Sequence, residues 1–261
     1  MIGSIIGDII GSRWEGSRHP KSKNFFFFTK KCRFTDDTTL TCAVADTLMT
    51  GTPYVETIRG YYTDYPDRGY GGSFKRWAKG DSEEGYGSYG NGSAMRVSPI
   101  AFFHETEEEV LLEAERSANA THNHKEGVRG AKVIALATFI ARKGGTKEEI
   151  VKAVEGLGCR TDVLLNSLAS GFDCTCQETV PQAVNAFLYS SSYEDCVREA
   201  IMMGGDSDTI AAMAGSIAHA YYNYIPDNII NKALDRLTPH LRDITISFMT
   251  DYVDDEWVFV S

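Results

Sequence analysis

The 261-residue sequence lacks the marks of several protein classes. It has no Cys-x-x-Cys pair, so a cysteine metal site is weakly supported. A disulfide scaffold is not needed at this length, and we expect free thiols in a reducing compartment. Basic residues are outnumbered, with 26 Lys and Arg against 36 Asp and Glu. The net charge of −10 gives no basic surface for nucleic-acid backbones or anionic membranes, so we expect neither as a partner.

Membrane and export signals are also lacking in the sequence. No run approaches the roughly 18 apolar residues of a membrane span. The first residues have no basic segment, and Asp8 interrupts their apolar run, so we expect no signal peptide and a cytoplasmic location. No change of composition marks a linker, and no internal repeat is present. We therefore expect one domain over residues 1–261, acting as a monomer.

Strand-like alternation of apolar and polar residues is scarce, whereas helical spacing is frequent. One helical segment follows Asp37 and ends at Gly51. Two Thr-x-x-Glu sequences, at 106–109 and 146–149, have the spacing of capping boxes that begin helices. Further helices are predicted over residues 54–65, 93–104, 126–142, 180–189, 193–203, 208–223, 227–237 and 242–252. The sequence therefore predicts an all-α protein of about ten helices.

Glycine is concentrated in two places. Gly3, Gly7 and Gly11 are spaced by four, which on a helix leaves one face of bare backbone for close packing. Residues 66–92 form a long segment rich in glycine and aromatic residues. Loops of this length are uncommon in compact domains and are usually functional or disordered, and the aromatic residues argue against disorder. Its backbone N–H groups suit phosphate oxygens, and Tyr89 suits stacking on a base.

Two short acidic turns lie far apart in the sequence, Thr35-Asp36-Asp37-Thr38 and Gly204-Gly205-Asp206-Ser207-Asp208-Thr209. Each precedes a predicted helix, so the plain interpretation is that they cap two helices. One Asp is enough for a cap, however, and neighbouring carboxylates repel one another unless a cation neutralises them. Ligands that are all oxygen favour Mg²⁺ or Mn²⁺ over zinc. We therefore predict that the two turns meet around two metal ions.

Two further candidates carry a weaker signal. Asp8 and Glu15 form a third acidic element, but exposed carboxylates are common. His122, between Thr121 and Asn123, could be a ligand, although composition alone favours a loop or capping histidine. The residues by themselves predict an all-α two-metal protein with a loop suited to a nucleotide-like ligand.

Six segments share one order with a known family. They are Gly7-Asp8-Ile9-Ile10-Gly11 with Glu15, Phe34-Thr35-Asp36-Asp37-Thr38, Arg68-Gly69-Tyr70-Gly71, Gly87-Ser88-Tyr89-Gly90-Asn91-Gly92-Ser93-Ala94-Met95-Arg96, Thr121-His122 and Gly205-Asp206-Ser207-Asp208-Thr209. In these segments the chain resembles the ADP-ribosylglycohydrolases, also called ADP-ribosyl-acceptor hydrolases. No single segment is specific to this family, but the six segments in the same order are.

The resemblance implies a compact single-domain orthogonal helical bundle with two Mg²⁺ or Mn²⁺ ions in a cleft. It implies metal ligands at Thr35, Asp36, Asp37, Asp206, Asp208 and Thr209. It implies substrate-binding residues at Gly71, Gly87, Ser88, Tyr89, Asn91, Gly92 and His122. The implied catalytic residues are Glu15, Asp36 and Asp208, with Glu15 as the acid/base or gating residue.

The implied reaction is hydrolysis of the bond between C1″ of ADP-ribose and an acceptor, either a protein side chain or a small molecule. Such cleavage needs an activated water and a protonated leaving group. Arginine, serine and nucleotide linkages and O-acetyl-ADP-ribose all stay open, with residues 68–71 and 87–90 most like the branch that cleaves O-linked ADP-ribose. Two alternatives are a non-catalytic ADP-ribose-binding or structural member, and a two-metal phosphohydrolase acting on the diphosphate.

Overall fold

The computed structural model describes residues 1–16, 19–162 and 172–253, and this part of the chain is helical. It contains thirteen α-helices, one 3₁₀ turn at Asn91–Ser93, and two isolated β-bridges between loops. The helices are α1 (Ile2–Gly11), α2 (Asp36–Thr50), α3 (Tyr54–Asp64), α4 (Gly72–Ala78), α5 (Ile100–Phe103), α6 (Glu107–Asn119), α7 (Lys125–Arg142), α8 (Lys147–Gly156), α9 (Cys176–Leu188), α10 (Tyr193–Met203), α11 (Ser207–Tyr222), α12 (Asp227–Leu234) and α13 (Pro239–Tyr252). The all-α prediction is confirmed. None of the described helices is both long and apolar enough to cross a bilayer.

Helix α11 forms the centre of the bundle. Every residue from Ser207 to His219 is buried, and the helix packs against α1, α7, α9 and α10. Its residues are mostly small, including Ala211 and Gly215, so that neighbouring helices approach its backbone closely. It ends at Asn223, whose left-handed conformation (φ 47°) closes the last turn. A helix held on all sides in this way is a rigid mount for the residues at its beginning.

The spaced glycines of α1 place that helix directly on α11. A Cβ atom on Gly7 would overlap the carbonyl group of Ala211, and one on Gly11 would lie 2.5 Å from the Cα atom of Asp208. Only glycine permits such a backbone contact, so the predicted bare face is present. Asp8, on the same helix, is completely buried. The contact brings the end of α1 to the beginning of α11.

Helix beginnings follow the predicted capping signals. The side chain of Thr35 accepts a hydrogen bond from the backbone N–H of Asp37 at the start of α2. Thr106 and Thr146 both form reciprocal capping boxes with the Glu three residues later. Helix α2 packs beside α1 and α11, so three of the six motif segments lie in one region.

Several predicted helix and loop bounds were wrong, including the end of α12, predicted at 237, and the beginning of α13, predicted at 242. Of the helix predicted over 93–104, only Ile100–Phe103 is α-helical, because Pro99 has no N–H and interrupts the backbone hydrogen bonds. The helix predicted from residue 180 begins at Cys176, with Pro181 inside it. The long glycine-rich segment contains α4, a seven-residue helix, and so it is two loops rather than one.

Candidate active site

A cavity of about 420 Å³ opens where the segment after α1, the beginnings of α2 and α11, and the two glycine-rich loops meet. Its described lining contains no Lys or Arg. The lining residues include five carboxylates, Glu15, Asp36, Asp37, Asp206 and Asp208. The cavity is therefore strongly acidic before anything binds in it.

The two acidic turns are in contact. Thr209 donates from its hydroxyl to Oδ2 of Asp37 at 3.2 Å, which joins the second turn to the first. The turn before α11 depends on Gly204 and Gly205, whose φ angles of +73° and +67° suit glycine. Backbone conformation and side-chain contact together set the two turns side by side.

The capping interpretation does not account for Asp206. This residue occupies the N-cap position of α11, yet its side chain makes no capping hydrogen bond. Its Oδ2 atom instead accepts a hydrogen bond from Nδ2 of Asn91 at 2.7 Å. Asp206 is therefore held toward the cavity by a residue of the second glycine-rich loop.

Glu15 lies beside the second turn. Glu15, Asp206 and Asp208 each offer a carboxylate oxygen, and these atoms all lie within 4.8 Å of one another. The backbone N–H of Gly16 donates to the carbonyl of Gly205 at 2.8 Å and forms an antiparallel bridge. This bridge fixes the segment that carries Glu15 against the turn that carries the two aspartates.

Hydrogen bonds to the buried carboxylate of Asp8 hold the first acidic turn in place. Its carboxylate accepts hydrogen bonds from the backbone N–H and hydroxyl of Thr35 at 2.9 and 2.7 Å. It also accepts from the backbone N–H of Thr38 at 3.1 Å and from the Thr38 hydroxyl. The Thr35 hydroxyl gives its proton to Asp8 and accepts the capping hydrogen bond from the N–H of Asp37, so one lone pair of that oxygen is left for another partner. The sequence signal for Asp8 is weak, since its burial beside Gly7 cannot be read from one sequence.

The cavity carboxylates lie close enough together that their negative charges repel one another. Burial, and then the charge of Asp8, raise the pKa of Asp36 well above its ordinary value. Burial, followed by the charges of Asp8 and Asp36, does the same to the pKa of Asp37. Burial, and then the charges of Asp206 and Asp37, raise the pKa of Asp208 well above its ordinary value. A cation bound among these groups would remove the repulsion.

The residues present fit a hard divalent cation. The Oδ1 atom of Asp37 is buried and has no hydrogen-bond partner in the described part of the chain. A buried carboxylate oxygen without a partner is costly, and a metal ion is one way to satisfy it. The donors around it are carboxylate and hydroxyl oxygens, which suit Mg²⁺ or Mn²⁺.

The glycine-rich loops form the rest of the wall. The first is pinned to α2, because the backbone N–H of Asp36 donates to the carbonyl of Arg68 at 2.8 Å. The second is pinned to the beginning of α9, where the N–H of Asn91 donates to the carbonyl of Cys174 at 2.8 Å. Both loops thus have fixed backbone positions at the cavity wall.

His122 lines the same cavity and is 5% exposed. Its Nδ1 atom lies 2.7 Å from the hydroxyl oxygen of Thr121. A Cβ atom on Gly92 would lie 2.9 Å from Nε2 of His122, so glycine leaves room for the imidazole. Burial, and then the charge of Arg96, hold the pKa of His122 well below its ordinary value. The ring is therefore neutral at neutral pH.

Comparison with known proteins identifies the family. The model of the ADP-ribosylglycohydrolase family matches residues 1–255. The chain belongs to the ADP-ribosylglycohydrolase family. It is similar to ADP-ribosylhydrolase ARH3 of Homo sapiens, with 26% identity over 310 residues covering 85% of this chain and 84% of the relative. It is also similar to ADP-ribosylarginine hydrolase Tri1 of Pseudomonas putida (strain GB-1), with 25% identity over 262 residues covering 85% and 69%.

A solved structure supports the fold. The chain of an ADP-ribosylglycohydrolase-related protein complex superposes with a TM-score of 0.67 and 24% identity, covering 94% of both chains. The family resemblance seen in the six motif segments is confirmed, and so is the helical bundle of the ADP-ribosylglycohydrolase type.

Most of the residues that the family motifs single out line this cavity. They are Glu15, Asp36, Asp37, Gly71, Ser88, Asn91, Gly92, His122, Asp206, Asp208 and Thr209. Three others lie outside the lining. Thr35 lies behind Asp37, Gly87 donates its N–H to Asn123, and the half-exposed ring of Tyr89 lies against His124, with centroids 5.3 Å apart.

Other lining residues were not predicted from the sequence. Tyr86 belongs to the glycine-aromatic segment, so composition could have indicated it. Phe172 and Cys174 come from the segment before α9 and carry no sequence signal. Their position depends on the pairing of that segment with the second glycine-rich loop, which only the fold shows.

Proposed function

We propose that this chain is a hydrolase that depends on divalent cations and cleaves the bond between C1″ of ADP-ribose and an acceptor, releasing ADP-ribose. The observation that carries the proposal is the meeting of both acidic turns and Glu15 in a cavity walled by glycine-rich loops. Family membership supports it, as do relatives named ADP-ribosylhydrolase and ADP-ribosylarginine hydrolase.

In this proposal the acidic turns hold two Mg²⁺ or Mn²⁺ ions. The residues that would hold them are Thr35, Asp36, Asp37, Asp206, Asp208 and Thr209. When bound, such ions neutralise the carboxylates and act as Lewis acids toward the oxygen atoms they contact. Asp8 keeps the first turn in shape through its hydrogen bonds to Thr35 and Thr38.

The chain's own residues then bind and orient the sugar nucleotide. Loop backbone at Gly71 and Gly92 can present N–H groups to phosphate and ribose oxygens, whereas the N–H of Gly87 is held by Asn123. Glu15 is partly exposed beside Asp206 and Asp208, where it can take a proton from a water or give one to the leaving group. The described lining has no Lys or Arg, which disfavours the phosphohydrolase alternative.

For the acceptor, the proposal favours an O-linked ADP-ribose. The segments 68–71 and 87–90 resemble the branch that cleaves this linkage, and both border the cavity. Gly69 and Gly71 are exposed at its edge, so an acceptor side chain can approach there.

A release assay tests the proposal. The purified chain is incubated with serine-, arginine- and nucleotide-linked ADP-ribose and with O-acetyl-ADP-ribose, with added Mg²⁺ or Mn²⁺, and the product is identified by mass. Free ADP-ribose is the expected product, released fastest from an O-linked substrate. Asp208→Asn should abolish release with the circular dichroism spectrum unchanged, whereas Asp235→Asn, at an exposed carboxylate, should not.

Each contrary outcome of this assay would indicate a different function or mechanism. AMP as a product would indicate a phosphohydrolase, and full activity in excess EDTA would remove the metal. Binding of ADP-ribose without turnover of any substrate would favour the non-catalytic alternative.

A further inference from the structure

A buried arginine lies behind His122 and is not explained by the proposed reaction. Arg96 is completely buried, and it makes no ion pair with a carboxylate in the described part of the chain. Its Nη2 group donates to the carbonyl of Ser117 and, at 3.0 Å, to the hydroxyl oxygen of Thr121. A guanidinium is always charged and only donates hydrogen bonds. The oxygen of Thr121 is therefore an acceptor in this contact.

The direction of the next hydrogen bond follows from the first. The hydroxyl of Thr121 has two neighbours among the described residues, Arg96 and Nδ1 of His122 at 2.7 Å. Because Arg96 cannot accept, the hydroxyl proton has only His122 as a partner. If Nδ1 carried a proton, the buried Thr121 hydroxyl would have no acceptor, which costs about 1–3 kcal/mol in general. The hydroxyl therefore donates, and Nδ1 accepts.

The protonation state of the second ring nitrogen of His122 then follows. A neutral imidazole that accepts at one nitrogen carries its proton on the other. Nε2 of His122 has no hydrogen-bond partner in the described structure, and it lies beside Gly90 and Gly92 at the cavity wall. Burial and the charge of Arg96 keep the ring neutral, since both lower the pKa of His122. The cavity thus receives one fixed N–H donor at this position.

We propose that Arg96 and Thr121 are positioning residues that hold His122 in its Nε2–H tautomer, so that His122 donates a hydrogen bond to an acceptor oxygen of the ligand. The identity of the ligand, ADP-ribose, rests on the proposed function. The tautomer itself rests only on the chain of hydrogen bonds from Arg96 through Thr121 to His122.

Nitrogen NMR tests the tautomer without any ligand. In protein labelled with ¹⁵N-histidine at neutral pH, Nε2 of His122 should show the directly bonded proton and Nδ1 should not. Thr121→Val keeps the side-chain shape but removes the hydroxyl, so His122 should shift toward a mixture of tautomers. Thr121→Ser keeps the hydroxyl and should restore the wild-type spectrum. A wild-type Nδ1–H tautomer, or an unchanged spectrum in Thr121→Val, overturns the proposal.

Binding of ADP-ribose, measured by calorimetry with Mg²⁺ present, tests the consequence. Thr121→Val should weaken the Kd about twofold to tenfold, since one neutral hydrogen bond contributes roughly 0.5–1.5 kcal/mol. With substrate, the loss should fall on KM rather than on kcat, and Thr121→Ser should rescue it. His122→Gln places its donor amide near the position of Nε2, whereas the shorter side chain of His122→Asn places it near that of Nδ1, so the Gln variant should bind ADP-ribose more tightly.

The two proposals fail in different ways. If wild-type protein does not bind ADP-ribose, the proposed function fails while the NMR result still decides the tautomer. If Thr121→Val loses affinity but keeps the Nε2–H tautomer, the loss has another structural cause and the positioning role is wrong. Thermal melting of each variant excludes unfolding as the explanation.

Discussion

At the scale of single residues, the carboxylates of the cavity show a conflict between stability and function. Asp208 is almost completely buried, and the charges of Asp206 and Asp37 disfavour its own. Buried like charges destabilise a fold unless a partner neutralises them. The arrangement is reasonable for a cation-binding site and costly for anything else.

We expect Asp208→Asn to have opposite effects with and without metal. In EDTA the variant should melt at a higher temperature than wild type, because one repelling charge is removed while Oδ1 still accepts from the N–H of Thr209. With saturating Mg²⁺ the wild type should gain stability, by about 2.7 kcal/mol at a concentration one hundred times the Kd. The variant should gain little. Scanning calorimetry of both proteins in both buffers measures the difference.

Asp235→Asn is the matched control, because its side chain is 69% exposed and lies outside the cavity. It should change stability by less than about 0.5 kcal/mol in either buffer. A lower melting temperature of Asp208→Asn in EDTA would contradict the repulsion argument.

The neutral state of His122 predicts a dependence of stability on pH. Arg96, which is charged, and Tyr86 lie beside the imidazole, and the pKa of His122 is held well below its ordinary value by burial and by Arg96. In the unfolded chain the histidine takes up a proton near pH 6.5. As the pH falls from about 6.5 toward the folded pKa, the unfolded state binds more protons, so stability falls by up to about 1.4 kcal/mol per pH unit.

Comparison with His122→Gln isolates this effect, since the cavity carboxylates and His219 are common to both proteins. Urea unfolding at several values from about pH 8 to about pH 5 spans the ordinary histidine pKa. The wild type should lose stability relative to the variant only below about pH 6.5. A difference that stays constant with pH would show that folding does not lower the pKa of His122.

At the scale of helices, the site depends on how closely α1 lies on α11. A methyl group at Gly7 would overlap the backbone of Ala211 and push α1 away. We expect Gly7→Ala to destabilise the protein by about 3 kcal/mol or more, the upper part of the range for overpacked cores. Asp8 would move with α1, so the affinity for Mg²⁺ should fall as well. Urea unfolding and metal titration measure the two effects.

Gly60→Ala provides the matched control for this substitution. Gly60 lies in the exposed part of α3, and a Cβ there would meet no atom within 4 Å. Alanine in a helix is more favourable than glycine by roughly 0.5–1 kcal/mol, so this variant should gain stability and keep its metal affinity. Equal effects of the two substitutions would show that the α1–α11 contact is not tight.

The helices also show which features can be read from sequence. The capping boxes at Thr106 and Thr146 were predictable, because the signal and the structure involve residues three positions apart. The spaced glycines predicted a close contact but could not name α11 as its partner, which is about 200 residues away. Pro99 carried the signal against a helix over 93–104, but the apolar run around it has helical spacing.

The same distinction applies to the cavity. Clustered carboxylates and the family motifs indicated most of the lining. Asp8 and Arg96 act through hydrogen bonds to residues far from them in sequence, and Phe172 reaches the wall through a loop pairing. Such roles depend on burial and direction, which one sequence does not contain.

At the scale of the whole molecule, charge predicts that metal and nucleotide bind together. The net charge is −10, and the described cavity lining adds carboxylates without Lys or Arg. ADP-ribose carries a negative diphosphate, so the protein without metal should repel it. Bound divalent ions make the cavity less negative, so they should favour binding of ADP-ribose. The effect of each ligand on the affinity for the other must be reciprocal. ADP-ribose should therefore raise the affinity for Mg²⁺ by the same factor by which Mg²⁺ raises the affinity for ADP-ribose.

Calorimetric titration of each ligand, with and without the other, measures both factors. Salt gives a second signature, because screening weakens repulsion between charges more than a Debye length apart, about 10 Å at 0.1 M. In EDTA, added NaCl should strengthen ADP-ribose binding slightly, whereas with Mg²⁺ it should weaken binding or leave it unchanged. Equal binding of ADP-ribose in EDTA and in Mg²⁺ would show that cations held by the two acidic turns do not assist nucleotide binding.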